Sequence, residues 1–357
     1  MTIDKTIESI LAQVPCPLLN KTATELGLNP SLTIEKNHLT LALCAGFPSG
    51  FLKETLQPTL TLALQHALPQ YEVNVIVDHA IKAHVTQLPG KGLRSVKNTI
   101  AIASGKGGVG KSTVAVNLAT ALARSGARVG LLDADIYGPS IPLMLGPTAP
   151  IKVHGERYLP VSAHGVQAMS IGYLTSGEPA LIWRGPMLAK SLIQMIDITQ
   201  WDELDYLFID LPPGTGDIQL SLVQKIPLAG ALIVTTPQQV ATLDAEKAIK
   251  MFAKTNIDVL GLIENMSTHV CSKCGHHEAI FSSGGAKHLC ESYAVPLLGQ
   301  WPLDRQISTH SDQGTPTSAT GNSDLTMMMI KSALEATIEL SKKSLNYANK
   351  FPNILVE

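Results

Sequence analysis

The stretch Gly105-Lys106-Gly107-Gly108-Val109-Gly110-Lys111-Ser112-Thr113 decides the fold of this chain. It fits the G-x-x-x-x-G-K-[ST] pattern of a phosphate-binding loop, which needs a strand before it and a helix after it. Residues 99–104 form an apolar run typical of a buried strand, and residues 112–125 show a helical pattern that ends at Gly126. A glycine-rich turn without a ligand is the alternative, but strand, lysine, hydroxyl and helix occur here together, which favours phosphate binding.

The residue types of this loop suit a bound nucleoside triphosphate. Glycine lets the backbone turn tightly, so that several N–H groups point at one phosphate, and the start of the following helix adds positive potential. Lys111 can reach the β- and γ-phosphates, and the Ser112 hydroxyl can hold Mg²⁺. The predicted nucleotide-binding residues of the loop are Gly105, Lys106, Gly107, Gly108, Val109, Gly110, Lys111, Ser112 and Thr113.

The bulk composition narrows the class of protein. The chain has 357 residues, of which 45% are hydrophobic, so a large core and two domains are expected. A formal net charge of −2 provides no overall attraction to nucleic acid or to an anionic membrane. The N-terminus lacks the apolar region of a secretory signal. The chain has five cysteines, and this odd number does not suggest a disulfide scaffold. We therefore expect a cytoplasmic protein that binds neither nucleic acid nor membrane.

The chain divides at a segment rich in Pro and Gly. The residues before it have the pattern of a small α+β domain, in which Pro58 predicts a break or a late start of the helix at residues 52–68. The predicted boundaries are residues 1–84 for this domain, 85–97 for the linker, 98–346 for the nucleotide-binding domain and 347–357 for a C-terminal tail.

Strands and helices alternate from Asn98 onward. The predicted strands are near-continuous apolar runs, as in a parallel sheet covered by helices on both faces, and they lie at residues 99–104, 127–133, 206–210, 230–236 and 257–263. The fold class is therefore α/β, with a doubly wound, mainly parallel sheet that binds ligands beyond the carboxyl ends of its strands. Residues 308–323 are expected to form a loop, and residues 325–343 a helix.

Acidic residues end two of the predicted strands. Asp133 and Asp135 follow the second strand, and Asp210 closes the apolar run at residues 206–210 in the Walker-B layout. Carboxylates beside a triphosphate suit Mg²⁺ coordination and orientation of an attacking water. A plain turn is the alternative for the Asp-x-Asp pair.

Two further features surround the predicted phosphate site. Gly214 and Gly216 allow a backbone N–H to approach a γ-phosphate and to withdraw after hydrolysis, although a rigid Pro-Pro turn also fits residues 212–217. Lys106 can neutralise charge on a nucleotide held by a facing subunit, as an arginine finger does. From its spacing alone, a solvated lysine is an equal alternative.

Cys271 and Cys274 form one C-x₂-C pair, which suits a metal-binding knuckle. A tetrathiolate site needs four thiols, and a two-fold dimer would bring two such pairs to its axis for a [4Fe–4S] cluster or Zn²⁺. His276 and His277 are alternative zinc ligands within one chain, and a dithiol redox motif is a further option.

These motifs together resemble the deviant Walker-A ATPases, which include MinD- and ParA-type proteins and the nitrogenase iron protein. Within that group the chain is similar to the Mrp/ApbC iron–sulfur carrier branch, and its first domain more loosely resembles the small assembly domain that often precedes this ATPase. The resemblance spans residues 98 to about 305 and rests on residues 104–113, 133–140, 183–186, 209–217, 235–238, 264–266 and the cysteine pair.

The resemblance implies a homodimer that binds and hydrolyses ATP and carries a labile [4Fe–4S] cluster from scaffold donors to recipient apoproteins. It assigns the cluster to Cys271 and Cys274 and catalysis to Lys106, Lys111 and Asp135. It further places Ser112, Asp133 and Asp210 around Mg²⁺, and Asn265 and Pro237 at the adenine base.

The chain departs from the family pattern at Ser308, where arginine is expected, and at Pro15-Cys16-Pro17, where the first domain usually has Asp-Pro-Glu. Three other functions fit parts of the pattern. A positioning ATPase would need a basic patch or tail, a zinc-stapled dimer would need only the thiols, and an electron-passing reductase would draw its ligands from separated cysteines.

Overall fold

The computed structural model describes residues 2–136, 138–146, 151–174, 185–271 and 273–345, with the backbone alone described at 185–189. The described residues form two compact units, one within residues 1–82 and 124–126, the other within residues 83–123 and 127–357. The predicted tail at 347–357 lies outside the described residues, as do position 346, Tyr137 and the Trp183-Arg184 part of the family motif.

The first unit contains a three-stranded sheet, a separate antiparallel pair of short strands and two helices. Its elements are α1 (Ile3–Gln13), β1 (Pro15–Cys16), β2 (Lys21–Thr22), β3 (Asn29–Glu35), β4 (His38–Ala45), α2 (Gly50–Ala67) and β5 (Glu72–His79). The sheet order is β3-β4-β5, antiparallel between β3 and β4 and parallel between β4 and β5. Side chains alternate between buried and more exposed along β4 and β5, as expected when one face of a sheet covers a core.

Helix α2 runs through Pro58 without interruption, so the predicted break is wrong. Proline removes one backbone N–H, which leaves the carbonyl of Glu54 without its usual helical partner. Both residues lie on the exposed face of the helix, where water can satisfy that carbonyl, and the apolar row on the other face stays in place. The row is fully buried and consists of Leu52, Leu56, Leu60 and Leu64.

The second unit contains the predicted parallel sheet. Its strands are β6 (Val96–Ala103), β7 (Val129–Asp133), β8 (Lys152–His154), β9 (Arg157–Leu159), β10 (Val161–Ala163), β11 (Val166–Ser170), β12 (Leu204–Asp210), β13 (Gly230–Thr235), β14 (Val259–Glu264), β15 (His269–Val270), β16 (His277–Glu278) and β17 (Leu297–Gln300). The main sheet has the order β10-β11-β7-β12-β6-β13-β14-β17, and only the β10–β11 pair is antiparallel. The α/β fold class is confirmed.

The helices of this unit connect the strands. They are α3 (Lys111–Arg124), α4 (Ile141–Leu145), α5 (Ile171–Leu174), α6 (Gly185–Ile198), α7 (Asp217–Lys225), α8 (Gln239–Lys254), α9 (Gly285–Tyr293), α10 (Arg305–Asp312) and α11 (Asp324–Ser341), with a 3₁₀ turn at Thr317–Ala319. No helix among the described residues is both long and apolar enough to cross a bilayer.

The central strand β6 lies between β12 and β13, and every residue of β12 and β13 is buried. This burial explains why their sequences are almost wholly apolar. The chain leaves β6 toward β7 on one side and later returns to β13 on the other. The strand order therefore reverses at β6, and a ligand-binding crevice is expected beyond the carboxyl end of this strand.

Two parts of this unit differ from the sequence prediction. The outer strands β10, β11 and β17 were missed, because each is short and none is a long apolar run. The predicted loop at 308–323 is wrong at its start, since α10 extends to Asp312. The Asp304 side chain caps this polar helix by accepting a hydrogen bond from the backbone N–H of Gln306 at 2.7 Å.

Replacing Phe252 by Ala tests the packing of α8 against the sheet. Phe252 is fully buried in the core cluster, so we expect the free energy of unfolding to fall by about 3–5 kcal/mol. Leu243→Ala on the same helix is the control, because Leu243 is 52% exposed and should cost no more than about 0.5 kcal/mol. Urea unfolding of both variants measures the difference, and equal losses would contradict this packing.

Candidate nucleotide and thiolate sites

The predicted phosphate-binding loop follows β6 directly and leads into α3. It lines an open cavity of about 210 Å³, whose described walls are Ser104, Lys106, Gly107, Gly108, Val109, Gly110, Lys111, Ser112, Thr113, Asp135, Ser140, Met144 and Pro213. Gly108 and Gly110 have φ values of 82° and 79°, which a residue with a side chain rarely adopts. The cavity lies at the carboxyl end of the central strand, where the topology predicts a ligand.

The Asp210 carboxylate is the polar centre of the site. It lies at the end of β12 and is fully buried. One of its oxygens accepts from Lys111 Nζ at 2.5 Å, and the other accepts from Ser112 Oγ at 2.5 Å. The pairing satisfies a carboxylate that would otherwise be costly to bury, and it fixes the start of α3 against β12.

Asp133 lies beside Asp210 on the neighbouring strand, because β7 and β12 pair in register at these two positions. Its oxygens accept from Ser170 Oγ at 3.0 Å and from the backbone N–H of Asp135 at 3.2 Å and of Ile141 at 3.3 Å. Burial, followed by the charge of Asp210, raises the pKa of Asp133 to about 7. A nearby cation would favour its ionised form.

The loop after β12 is tied to the phosphate-binding loop. The Gly214 backbone N–H donates to the Ser104 carbonyl at 3.0 Å, and Ser104 Oγ donates to the Lys106 carbonyl at 2.9 Å. Gly214 has a φ of 100°, so the glycine is needed for this turn. The phosphate-binding loop, which carries Lys106, is thus hydrogen-bonded to the predicted switch segment at residues 212–217.

Asn265 contacts the phosphate-binding loop from the position directly after β14. Its Nδ2 donates to the Val109 carbonyl at 2.9 Å, and its backbone N–H donates to the Thr235 carbonyl at 2.8 Å. Pro237 is buried and lies next to the first turn of α9, because a Cβ on Gly285 would be 2.9 Å from the Pro237 carbonyl oxygen. Neither residue is in the described wall of the cavity.

Cys271 and Cys274 lie in a small hairpin formed by β15 and β16. The Cys271 N–H donates to the His276 carbonyl at 2.9 Å, and the Gly275 N–H donates to the Cys271 carbonyl at 2.8 Å. Hydrogen bonds from the backbone of Lys273, then from the backbone and thiol of Cys274, hold the pKa of Cys271 below its ordinary value. Both thiols are free, and Cys274 is exposed.

This hairpin fits a thiolate-bound metal group, because backbone N–H groups already face a sulfur that must be deprotonated for ligation. The ligand set within one chain is incomplete, however. Over the described parts of the chain, no three His, Cys, Asp or Glu side chains are grouped closely enough to hold a metal. Cys290 cannot complete the set in this arrangement, since it is buried in α9 and burial raises its pKa to about 11.

The structure brings together most of the predicted nucleotide site, although the roles of its residues stay predictions. Every predicted loop residue except Gly105 lines one cavity together with Asp135. Asp210 adjoins this wall through its hydrogen bonds from Lys111 and Ser112, and Asp133 lies beside Asp210 on the neighbouring strand. The cysteine hairpin lies outside the described wall. Sequence reasoning assigned no role to Ser170, Ser104 or Met144. Ser170 could have been noticed as a polar residue at the end of a strand, but its strand had not been predicted.

A glycine-rich loop between a central strand and a helix, with a lysine and a hydroxyl on the acid of the adjacent strand, defines a P-loop nucleotide-binding protein. The family profile described as "ParA: NUBPL iron-transfer P-loop NTPase" matches residues 95–338. The chain belongs to this family.

Curated relatives agree with the family. An iron–sulfur cluster carrier protein of Escherichia coli is 57% identical over 231 residues, which is 63% of this chain and 62% of that protein. The chain therefore spans less than two thirds of this relative's length. A protein of the same name from Haemophilus influenzae is 48% identical over 318 residues, covering 87% of this chain and 85% of the relative.

Two solved structures resemble the nucleotide-binding unit. A nucleotide-binding protein of Archaeoglobus fulgidus, in complex with ADP and with cobalt detected, is 39% identical at a TM-score of 0.55, covering 62% of this chain and 88% of its own. The cell division ATPase MinD of Pyrococcus furiosus is 23% identical at a TM-score of 0.50, and the match covers 67% of this chain and 97% of that structure's chain. The second likeness concerns the fold alone.

Replacing Asp133 by Asn tests the electrostatics of the site. The folded-state pKa of about 7 exceeds the value of about 3.9 in an unfolded chain, so the folded state binds more protons between these values. The contribution of Asp133 to stability is therefore present at low pH and is lost as pH rises toward 7, by at most about 4 kcal/mol. Urea unfolding with EDTA at several pH values measures this decline of the unfolding free energy. The decline should be smaller in Asp133→Asn than in the wild type, and the same pH dependence in both proteins would contradict the raised pKa of Asp133.

Replacing Gly105 by Ala tests how α8 packs on the loop. A Cβ at Gly105 would overlap the Asp244 backbone, and overpacking of this kind costs about 1–3 kcal/mol of unfolding free energy. Gly107→Ala is the matched control in the same loop, because its nearest neighbour, a Pro213 side-chain carbon, is 3.9 Å away. Thermal unfolding without nucleotide should separate the two variants, and equal stabilities would count against the geometry.

Proposed function

We propose that this protein is an ATP-hydrolysing carrier of iron–sulfur clusters that works as a homodimer. The observation that carries the proposal is the incomplete thiolate site. One chain offers two free thiols in a hairpin prepared for thiolate ligation, and a [4Fe–4S] cluster needs four ligands. A symmetric dimer presents the same hairpin twice, which supplies the missing pair.

The names of the relatives support a cluster as the cargo. The curated relatives are called iron–sulfur cluster carrier proteins, and the family description specifies iron transfer. The exposure of Cys274 also suits a carrier, because a cargo that is to be handed on must remain accessible to a recipient protein. The cluster would therefore be cargo, received from a scaffold protein and given to an apoprotein.

The nucleotide site supplies the second half of the proposal. Lys111 would bind the phosphates of ATP, and Lys106, which lines the cavity, would reach the nucleotide of the facing subunit. Asp135 would orient the attacking water at the cavity wall. Asn265 and Pro237 would contact the adenine base, as the family resemblance implies.

A magnesium ion fits the oxygen donors of this site. Ser112 Oγ donates a hydrogen bond to the buried Asp210 carboxylate, and Asp133 lies beside Asp210 on the adjacent strand. These residues would hold Mg²⁺, which would neutralise the developing charge on the phosphates. The raised pKa of Asp133 is consistent with a carboxylate whose preferred partner is a cation.

Replacing both Cys271 and Cys274 by Ser tests the cargo assignment. Anaerobic reconstitution of the wild type should give about four irons per dimer if one cubane bridges the two chains. The double variant should lose this loading and keep ATP binding, because the hairpin lies outside the described wall of the nucleotide cavity. Iron analysis and the absorption spectrum measure the loading.

Two controls complete this experiment. Cys290→Ser removes a buried thiol outside the hairpin and should leave loading unchanged. Lys111→Ala should abolish ATP binding and leave the thiols able to accept iron. Stoichiometric iron in the double variant would defeat the cluster assignment, whereas zinc without iron in the anaerobically purified wild type would favour a zinc-stapled dimer.

A further inference from the structure

One short segment joins the phosphate-binding loop to the cysteine pair. Asn265 holds the loop through the hydrogen bond from its Nδ2 to the Val109 carbonyl at 2.9 Å. Cys271 follows Asn265 by only six positions in the chain. The distance that such a segment can span is limited, so its two ends cannot move independently over large distances.

The start of this segment is held firmly. Glu264, the last residue of β14, is buried, and its carboxylate accepts from Gln300 Nε2 at 2.7 Å and from the Ala286 N–H at 3.2 Å. These bonds join the ends of β14 and β17 to the first turn of α9. The segment therefore leaves the sheet from a fixed point.

The far part of the segment is held by a second anchor. Both the backbone N–H and the hydroxyl of Ser267 donate to the Trp301 carbonyl, at 2.8 and 3.0 Å. The next pairing joins the Leu303 N–H to the Thr268 carbonyl at 2.7 Å, and His269 forms an isolated bridge with Leu303. Trp301 is fully buried, so the hairpin rests on the core of its unit.

Met266 is the residue between the two anchors. Its φ of 56° lies in the left-handed region, which is unfavourable for a residue with a side chain. Its terminal methyl lies beside the phosphate-binding loop, at 3.6 Å from the position that a Cβ on Gly110 would occupy. The chain thus turns at Met266 in an unfavourable conformation that its neighbours maintain, and its side chain lies next to the loop.

We infer that Asn265 and Met266 are positioning residues that transmit the occupancy of the phosphate-binding loop to the geometry of the Cys271–Cys274 pair. The inference rests on the proposed function, since it concerns how that function's two sites communicate. A displacement of the Val109 carbonyl moves Asn265, and the left-handed turn at Met266 passes the displacement to the hairpin. A flexible connection would absorb the same displacement.

The test measures the coupling directly on the full-length protein. Co²⁺ reports thiolate ligation through its sulfur-to-metal absorption, so its affinity is titrated anaerobically with and without a saturating non-hydrolysable ATP analogue and Mg²⁺. In the wild type we expect the analogue to change Co²⁺ affinity at least about fivefold, the lower range of coupling between linked sites.

Met266→Gly is the decisive variant. Glycine keeps the left-handed conformation without strain, but it removes the side chain beside the loop and lets the turn flex. The ratio of the two Co²⁺ affinities should fall to within about twofold of unity, while Co²⁺ and analogue each still bind. Asn265→Ala, measured at saturating analogue, should lower the ratio in the same way.

Ser282→Gly is the matched control. Ser282 also has a positive φ, 76°, but it follows the cysteine pair and lies outside the connecting segment. It should keep the wild-type ratio, and loss of coupling in this control would overturn the inference. A wild type without coupling, or a Met266→Gly variant that retains it in full, would do the same. Failure of the wild type to bind either Co²⁺ or the analogue would instead refute the proposed function.

Discussion

The site depends on one buried interaction, the contact of the Asp210 carboxylate with Lys111 and Ser112. The acid ends β12, and its two partners begin α3, so the interaction closes the phosphate-binding loop against the neighbouring strand. Removing one partner of a buried ion pair costs about 3–5 kcal/mol, because the other charge is left unpaired. In the proposed function, Mg²⁺ and the phosphates of ATP would offer these same groups new partners. Binding or release of nucleotide at the phosphate-binding loop would therefore act on the Asp210 contact that holds this loop against β12.

The cysteine hairpin is governed by a different constraint, the number of ligands. A pair of thiols with favourable backbone hydrogen bonds is well prepared for metal binding but leaves a cubane cluster half coordinated. This incompleteness makes a second copy of the chain necessary to the proposal rather than incidental. It also gives a physical reason for a labile cargo, because separating the two copies would remove half of the ligands at once.

The sequence predicted those features that depend on local pattern. The long apolar runs of β6, β12 and β13 and the loop motif were sufficient to derive the parallel sheet and the position of its crevice. The short outer strands β11 and β17 were not predictable from periodicity, because pairing with a neighbouring strand defines them. Pro58 was misjudged for a similar reason, since tertiary packing of the leucine row outweighs the loss of one backbone hydrogen bond. The contacts of Ser170 with Asp133 and of Asn265 with Val109 join residues far apart in the chain, and no local signal marks them.

Native mass spectrometry of the anaerobically reconstituted protein with an ATP analogue tests the central claim most directly. The account predicts one species that contains two chains, two nucleotides and a single four-iron cluster. This species should disappear in favour of monomers when the cluster and the nucleotide are both removed. A single chain that retains a complete cluster would contradict the account, because its ligands would then not come from two copies.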